Sequence, residues 1–236
     1  MSLASLVSCA PDARSPSKPS TATLFFSNVE IVPGRTFPSP LVRGTVHGKE
    51  TVFIVDTGAQ VSVVDTKLAK DAGLVVTQGG SAQDPSGAAV AMDKTEAPGF
   101  VVEGLGAVPD RLTAVIAMPE LITKLGIGAI LSPQMLAQGG HQVVLDLRSR
   151  ELRLDDPSAA AKVSSSVFDL GPIQVCRYDE KGFGAASLIV QAVVDGVPTP
   201  VELDTGASTT FVVADSAIGR KLAARTDGER KQSVSA

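Results

Sequence analysis

An internal repeat constrains this chain more than any other feature of its sequence. Val42–Leu74 aligns without a gap with Val190–Leu222. The first segment reads VRGTVHGKETVFIVDTGAQVSVVDTKLAKDAGL, and the second reads VQAVVDGVPTPVELDTGASTTFVVADSAIGRKL. Both contain the tetrapeptide Asp-Thr-Gly-Ala, which begins at Asp56 and again at Asp204. Self-similarity at a fixed spacing predicts two related folding units in one chain.

Each copy begins with a predicted β-hairpin. The turns are centred on His47-Gly48 and Asp195-Gly196, where the second residue tolerates the positive φ that a tight hairpin requires. A second strand follows each turn, at Thr51–Val55 and at Thr199–Leu203, and runs directly into the aspartate. We therefore expect each aspartate on a tight turn at the end of a buried strand, and not on a helix face.

After each glycine comes another apolar stretch, Val61–Val64 or Phe211–Val213. A short helix is predicted next, at Thr66–Ala72 in the first copy and more weakly at Asp215–Leu222 in the second. Asp65 immediately precedes the first of these helices and is therefore interpreted as its N-cap, not as a catalytic group.

The first copy continues where the second does not. A mobile hairpin is predicted between Gln78 and Gly87, and its candidate flap residues are Gly79, Gly80, Ser86 and Gly87. The later elements are predicted as three strands, a short helix and a closing hairpin: Phe100–Val102, Leu112–Ile116, Gly126–Ser132, Pro133–Ala137, and Gln142–Leu147 with Glu151–Leu154. The second copy reaches Ala236 about where this hairpin would begin. We expect the chain to be a fragment of a longer protein, the alternative being that another chain supplies the missing strands.

Composition indicates an all-β fold. The chain has 236 residues, of which 44% are hydrophobic, with 22 Gly and 15 Pro and abundant Val. This mixture suits short strands joined by tight turns. The predicted organisation is a leader or tether at 1–22, a first lobe at 23–156, a connecting segment at 157–180 and a partial second lobe at 181–236.

The two aspartates can hydrolyse an amide without a metal or a covalent intermediate. Two carboxyl groups held close together cannot both ionise easily, so the pair of Asp56 and Asp204 holds one proton. The ionised partner can accept a proton from water while the protonated partner donates to the carbonyl oxygen. The other motif residues have supporting roles: turn-locking hydroxyls, glycines that allow close backbone approach, and small alanines, at Thr57, Gly58, Ala59, Thr205, Gly206 and Ala207.

The segments FIVDTGAQVSVVD and VELDTGASTTFVV resemble the active-site loops of the pepsin/retropepsin superfamily, and DTGA resembles its retropepsin-like branch. The resemblance implies two β-barrel lobes that meet at a cleft, catalytic roles for Asp56 and Asp204, and an extended peptide or protein substrate covered by the hairpin. It implies no metal or organic cofactor. The family's hydrophobic-hydrophobic-Gly element has its counterpart at Ile130-Leu131-Ser132, with Ser at the glycine position. Alanine after each Asp-Thr-Gly removes a hydroxyl donor, so we expect a working pH nearer neutral than that of pepsin-like enzymes.

Two alternatives stay open. The first lobe could pair with another first lobe in a homodimer that uses only Asp56, or the chain could be a non-catalytic binding or envelope module of the same fold. A Ser/His/Asp peptidase is disfavoured, because neither His47 nor His141 accompanies a nucleophile motif.

Charge and cysteine content bound the partners. A net charge of −4 gives no electrostatic case for nucleic acid. No Cys/His spacing suggests a metal site. Leu6-Val7-Ser8-Cys9 resembles a bacterial lipobox, which would make Cys9 a lipidation site with membrane anchoring and a location in the bacterial cell envelope or periplasm. Without that processing, the expected location is the cytoplasm.

Overall fold

The computed structural model describes residues 20–83, 89–109, 112–137, 142–155, 174–178, 185–208 and 210–225. These residues are mostly β-strand with few helices, which confirms the all-β prediction and is consistent with a pepsin/retropepsin-like fold. The strands are β1 Ser20–Thr23, β2 Glu30–Val32, β3 Arg35–Thr36, β4 Leu41–Val46, β5 Lys49–Val55, β6 Val63–Asp65, β7 Thr77–Gln83, β8 Ala89–Thr95, β9 Phe100–Val102, β10 Gly106–Ala107, β11 Thr113–Ile116, β12 Ile127–Leu131, β13 Gln142–Asp146, β14 Glu151–Asp155, β15 Gln174–Tyr178, β16 Ala185–Val194 and β17 Val197–Glu202. The helices are α1 Thr66–Asp71, α2 Glu120–Lys124, α3 Pro133–Ala137 and α4 Ala217–Ala223.

The first repeat is organised around a mixed sheet with the strand order β10-β9-β4-β5-β12-β6-β11-β8-β7. Strands β4 and β5 form the predicted hairpin, and its turn has φ of 47° at His47 and 79° at Gly48. Positive φ at both central residues is the geometry that matches the twist of paired strands. The predicted strands at Phe100–Val102 and Gly126–Ser132 and the helix at Pro133–Ala137 are also present.

Strand β12 separates two strands that are neighbours in the sequence. It pairs in parallel with β5 and antiparallel with β6, although only a short loop joins β5 to β6. This loop, which begins at Asp56, therefore crosses the end of β12. The backbone N–H of Asp56 donates to the carbonyl oxygen of Leu131 at 3.1 Å, so the end of β12 supports the loop directly.

The main apolar core joins the nine-stranded sheet to a second sheet with the order β1-β14-β13. Strands β13 and β14 are the predicted closing hairpin. The rings of Phe53 and Phe100 meet edge to face inside this core, with centroids 5.3 Å apart. Leu24, Leu131 and Leu152 pack in the same cluster and are almost fully buried. Burying each of these side chains contributes about 1.5–3 kcal/mol to folding.

The second repeat forms a smaller unit. Strands β15, β16 and β17 make an antiparallel sheet, and the β16–β17 turn repeats the geometry of the first hairpin, with φ of 51° at Asp195 and 74° at Gly196. Helix α4 matches the predicted second helix. Among the described residues of this unit, Val190 and Ile218 are its buried apolar side chains.

One apolar stretch behaves differently in the two repeats. Residues 61–64 lead into the buried strand β6, but Phe211–Val213 forms no strand, and Phe211 remains 60% exposed. Strand β6 is held between β12 and β11. Within the described part of the second repeat, no strand stands in those positions. The two apolar stretches therefore differ in structure, because neighbouring strands and not the local sequence bury β6.

Within the described ranges, no helix has both the length and the apolar character needed to cross a bilayer.

Candidate active site

Asp56 stands at the end of β5, where the chain leaves the sheet. Its side chain turns back onto its own loop, and Oδ1 accepts hydrogen bonds from the N–H groups of Gly58 at 2.8 Å and Ala59 at 3.2 Å. The carboxyl group is half-buried. The local sequence produces this arrangement because Asp readily accepts hydrogen bonds from backbone N–H groups two and three residues further along the chain.

Asp204 repeats the same geometry after β17. Its Oδ1 accepts from the N–H groups of Gly206 at 2.8 Å and Ala207 at 3.0 Å. Unlike Asp56, Asp204 is exposed. The sequence repeat therefore extends to the hydrogen bonds of each loop, while the surroundings of the two carboxyl groups differ.

The two threonines join the loops reciprocally. Thr57 Oγ1 donates to the carbonyl oxygen of Leu203 at 2.7 Å and accepts the N–H of Thr205 at 3.0 Å. Thr205 Oγ1 donates to the carbonyl oxygen of Val55 at 2.7 Å and accepts the N–H of Thr57 at 3.1 Å. Each hydroxyl thus satisfies one acceptor and one donor on the opposite loop. The arrangement agrees with the turn-locking role expected for these hydroxyls.

The glycines allow each loop to approach the opposite carboxyl group. A Cβ atom placed on Gly58 would overlap the carboxyl group of Asp204, with Oδ2 at 2.8 Å and the other carboxyl atoms closer. A Cβ on Gly206 would overlap the carboxyl group of Asp56 in the same way, with Oδ1 at 2.6 Å. Any residue larger than glycine would push the two carboxyl groups out of this arrangement.

The two carboxyl groups interact strongly enough to change protonation. The pKa of Asp56 is raised from 3.8 to about 6, first by burial and then by the negative charge of Asp204 and a hydrogen bond to it. The N–H groups of Gly58 and Ala59 oppose the rise, because they stabilise the ionised form. The pair therefore keeps its proton as the pH rises to about 6. The raised pKa has burial and the paired charge as its causes, and a working pH nearer neutral stays a prediction.

A buried polar chain supports the first loop from below. Ser132 is fully buried, its N–H donates to Ser62 Oγ at 3.1 Å, and its hydroxyl donates to Oε1 of Gln134 at 3.3 Å. Gln134 Nε2 then donates to the carbonyl oxygen of Thr57 at 2.5 Å. The segment Ile130-Leu131-Ser132 thus lies beneath the loop, where the resemblance placed it. The sequence reasoning missed Gln134 and Ser62. The position of Gln134, two residues after that segment, was the available signal.

A further contact reaches the second loop from a residue that precedes the first repeat. Ser39, which is 1% exposed, donates from Oγ to the carbonyl oxygen of Gly206 at 3.2 Å. No sequence signal pointed to Ser39, because it lies outside both copies of the repeat and contacts its partner across 167 residues.

The candidate flap and lipidation residues lie in strand β7 or outside the described residues. Gly79 and Gly80 lie in β7, which pairs with β8 at the edge of the large sheet and carries a register shift between Gln78 and Gly80. Ser86, Gly87 and the proposed lipidation site Cys9 fall outside the described residues.

Asp65 is the N-cap of α1, as predicted. Its Oδ1 accepts from the N–H groups of Lys67 and Leu68, and its Oδ2 accepts from that of Met118. Across the part of the chain that the structure describes, no group of three or more His, Cys, Asp or Glu residues is placed to hold a metal ion.

A family model described as aspartyl protease matches residues 42–129, which run from β4 into β12 and include the Asp56 loop. The resemblance to the retropepsin-like aspartic peptidase superfamily is thereby confirmed. A solved structure of a retropepsin-like aspartic protease from Rickettsia conorii also matches, with 13% identity and a TM-score of 0.39, covering 59% of this chain and 92% of that chain. No curated protein matches the chain.

Proposed function

We propose that this chain is an aspartic endopeptidase that hydrolyses peptide bonds with a water molecule activated between Asp56 and Asp204. The observation that carries the proposal is the reciprocal joining of the two loops, which brings both carboxyl groups into contact while each keeps its own pair of N–H donors. The matched aspartyl protease region, which contains the first loop, supports the same chemistry.

The difference in surroundings suggests which carboxyl group holds the proton. Burial favours the neutral form of Asp56, whose pKa lies at about 6. Asp204 is exposed, and its negative charge is one of the causes of that raised pKa. In this arrangement the oxygen of the water molecule bonds to the peptide carbonyl carbon while Asp204 accepts a proton from that water. Asp56 donates its proton to the carbonyl oxygen. Collapse of the tetrahedral intermediate then breaks the C–N bond, and the amine leaves with a proton from the pair.

The proposed substrate is a peptide or protein segment in an extended conformation. Such a segment can pair with the backbone of a sheet edge and present alternate side chains to pockets. The edge strand β7, which contains Gly79 and Gly80, is the described part of the proposed flap over the substrate.

The test is cleavage of a diverse peptide mixture between pH 4 and pH 7.5. Asp56→Asn and Asp204→Asn should each abolish cleavage, whereas Asp215→Asn, at an exposed aspartate outside the site, should leave it unchanged. The rate should fall as the pH rises above about 6, because Asp56 then loses the proton it donates. If Asp56→Asn abolishes cleavage and Asp204→Asn does not, the result would favour the homodimer that uses only the first loop. Peptide binding without cleavage by any form would favour a non-catalytic module.

A further inference from the structure

One peptide unit connects Gln134 to Asp56. The carbonyl oxygen of Thr57 accepts from Gln134 Nε2, and the N–H of the same peptide unit, which belongs to Gly58, donates to Asp56 Oδ1. Gln134 is only 6% exposed. Its orientation is fixed because the hydroxyl of Ser132 donates to Oε1, which leaves Nε2 facing Thr57.

A second peptide unit connects Ser39 to Asp204 in the same way. The carbonyl oxygen of Gly206 accepts from Ser39 Oγ, and the N–H of that peptide unit, which belongs to Ala207, donates to Asp204 Oδ1 at 3.0 Å. Each carboxyl group therefore has a buried side-chain donor one peptide unit away, and both donors precede the second repeat in the sequence.

A hydrogen bond to a carbonyl oxygen strengthens the N–H donor of the same peptide unit. The effect is cooperative, about 10–30% per bond, because the amide group is polarised as a whole. The same bond holds the peptide plane in place, so the N–H keeps pointing at the carboxylate. Strengthened, oriented donors matter most when the carboxylate is ionised, because hydrogen bonds to charged groups are the stronger ones.

We propose that Gln134 and Ser39 are positioning residues, and that they act on Asp56 and Asp204 respectively through the peptide units Thr57–Gly58 and Gly206–Ala207. A role of these two residues in catalysis rests on the proposed function. The selective effect of each donor on one carboxyl group does not depend on whether the chain cleaves peptides. The proposal also makes the Asp204 loop dependent on a side chain of the first lobe.

The experiment measures the amide proton shifts of Gly58 and Ala207 by NMR in the full chain. Gln134→Met should move the Gly58 signal upfield and leave Ala207 in place, whereas Ser39→Ala should do the reverse. Gln191→Met, at an exposed glutamine of β16, should move neither signal. Equal movement of both signals in both variants would indicate a merely structural role, and no movement in either would also overturn the proposal.

A titration provides the second readout. In an Asp204→Asn background, where Asp56 titrates alone, Gln134→Met should raise the carboxyl pKa of Asp56 by about 0.1 to 0.7, because the ionised form loses part of its stabilisation. If Gln134→Met leaves the Asp56 titration unchanged, the positioning role is wrong.

Peptide cleavage separates the proposed peptidase function from the positioning role of Gln134 and Ser39. If the wild-type chain cleaves peptides, both positioning variants should lower kcat several-fold with little change in KM, because they act on the carboxyl groups and not on substrate contacts. A change confined to KM would contradict the positioning role. If the wild-type chain cleaves nothing while the NMR shifts change selectively, the proposed function fails and the positioning role stands.

Discussion

Replacing Asp56 by asparagine should make the folded chain more stable while abolishing peptide cleavage. The substitution removes the carboxyl group that burial holds near a pKa of 6. It keeps the shape of the loop, because Gly58 and Ala59 both donate to the single oxygen Oδ1, which asparagine also carries. It also removes the repulsion between the charges of Asp56 and Asp204.

The magnitude follows from linkage between protonation and folding. Folding raises the pKa of Asp56 from 3.8 to about 6, so the folded chain binds this proton more tightly than the unfolded chain. The associated stability is fully present below pH 3.8 and is lost as the pH rises through 6. At 1.36 kcal/mol per pH unit, the ionised carboxylate costs the folded state up to about 3 kcal/mol at pH 7.5 and about 1 kcal/mol at pH 4.5.

Urea unfolding of the wild type and Asp56→Asn at the two pH values measures this cost. We expect the variant's gain in free energy of unfolding to be about 1–3 kcal/mol at pH 7.5 and clearly smaller at pH 4.5. Asp215→Asn, at an exposed aspartate, serves as the matched control and should change little at either pH. An Asp56→Asn variant that is less stable at pH 7.5, or equally changed at both pH values, would refute the argument that burial of the charge raises the pKa.

Four further substitutions test the site and its support. Thr57→Val should lower the free energy of unfolding by about 1–3 kcal/mol, since two hydrogen bonds between the loops are lost. Thr205→Val should lower the free energy of unfolding by a similar amount. Urea unfolding of both variants and of the double variant measures these losses. No loss in either single variant would contradict the reciprocal joining of the loops. Gly206→Ala should reduce kcat/KM in a peptide-cleavage assay by about a hundredfold, because its Cβ displaces the carboxyl group of Asp56; retention of near wild-type activity would rule out the close approach. Asp65→Ala should cost about 2–4 kcal/mol in urea unfolding, since the N-cap is lost and a buried N–H loses its acceptor, and a loss below 1 kcal/mol would contradict that account.

Local sequence was enough to predict the geometry of each aspartate loop. The tetrapeptide Asp-Thr-Gly-Ala makes the same two hydrogen bonds onto its own aspartate in both copies. The turns at His47-Gly48 and Asp195-Gly196 adopt the positive φ that their hairpins require. Asp65 caps α1 as expected. These features were predictable because the interacting groups lie within a few residues of one another, so the same short sequence produces the same structure.

Tertiary structure decided what distinguishes the two copies. Identical tetrapeptides leave Asp56 half-buried and Asp204 exposed, because the end of β12 lies beneath the first loop and contributes Leu131 and, through α3, Gln134. These contacts join residues about 75 positions apart, and the contact from Ser39 spans 167. Burial and charge depend on which strands become neighbours in the folded chain. For that reason the repeat predicted a pair of carboxyl groups, while only the folded chain determined which of them is buried and keeps its proton.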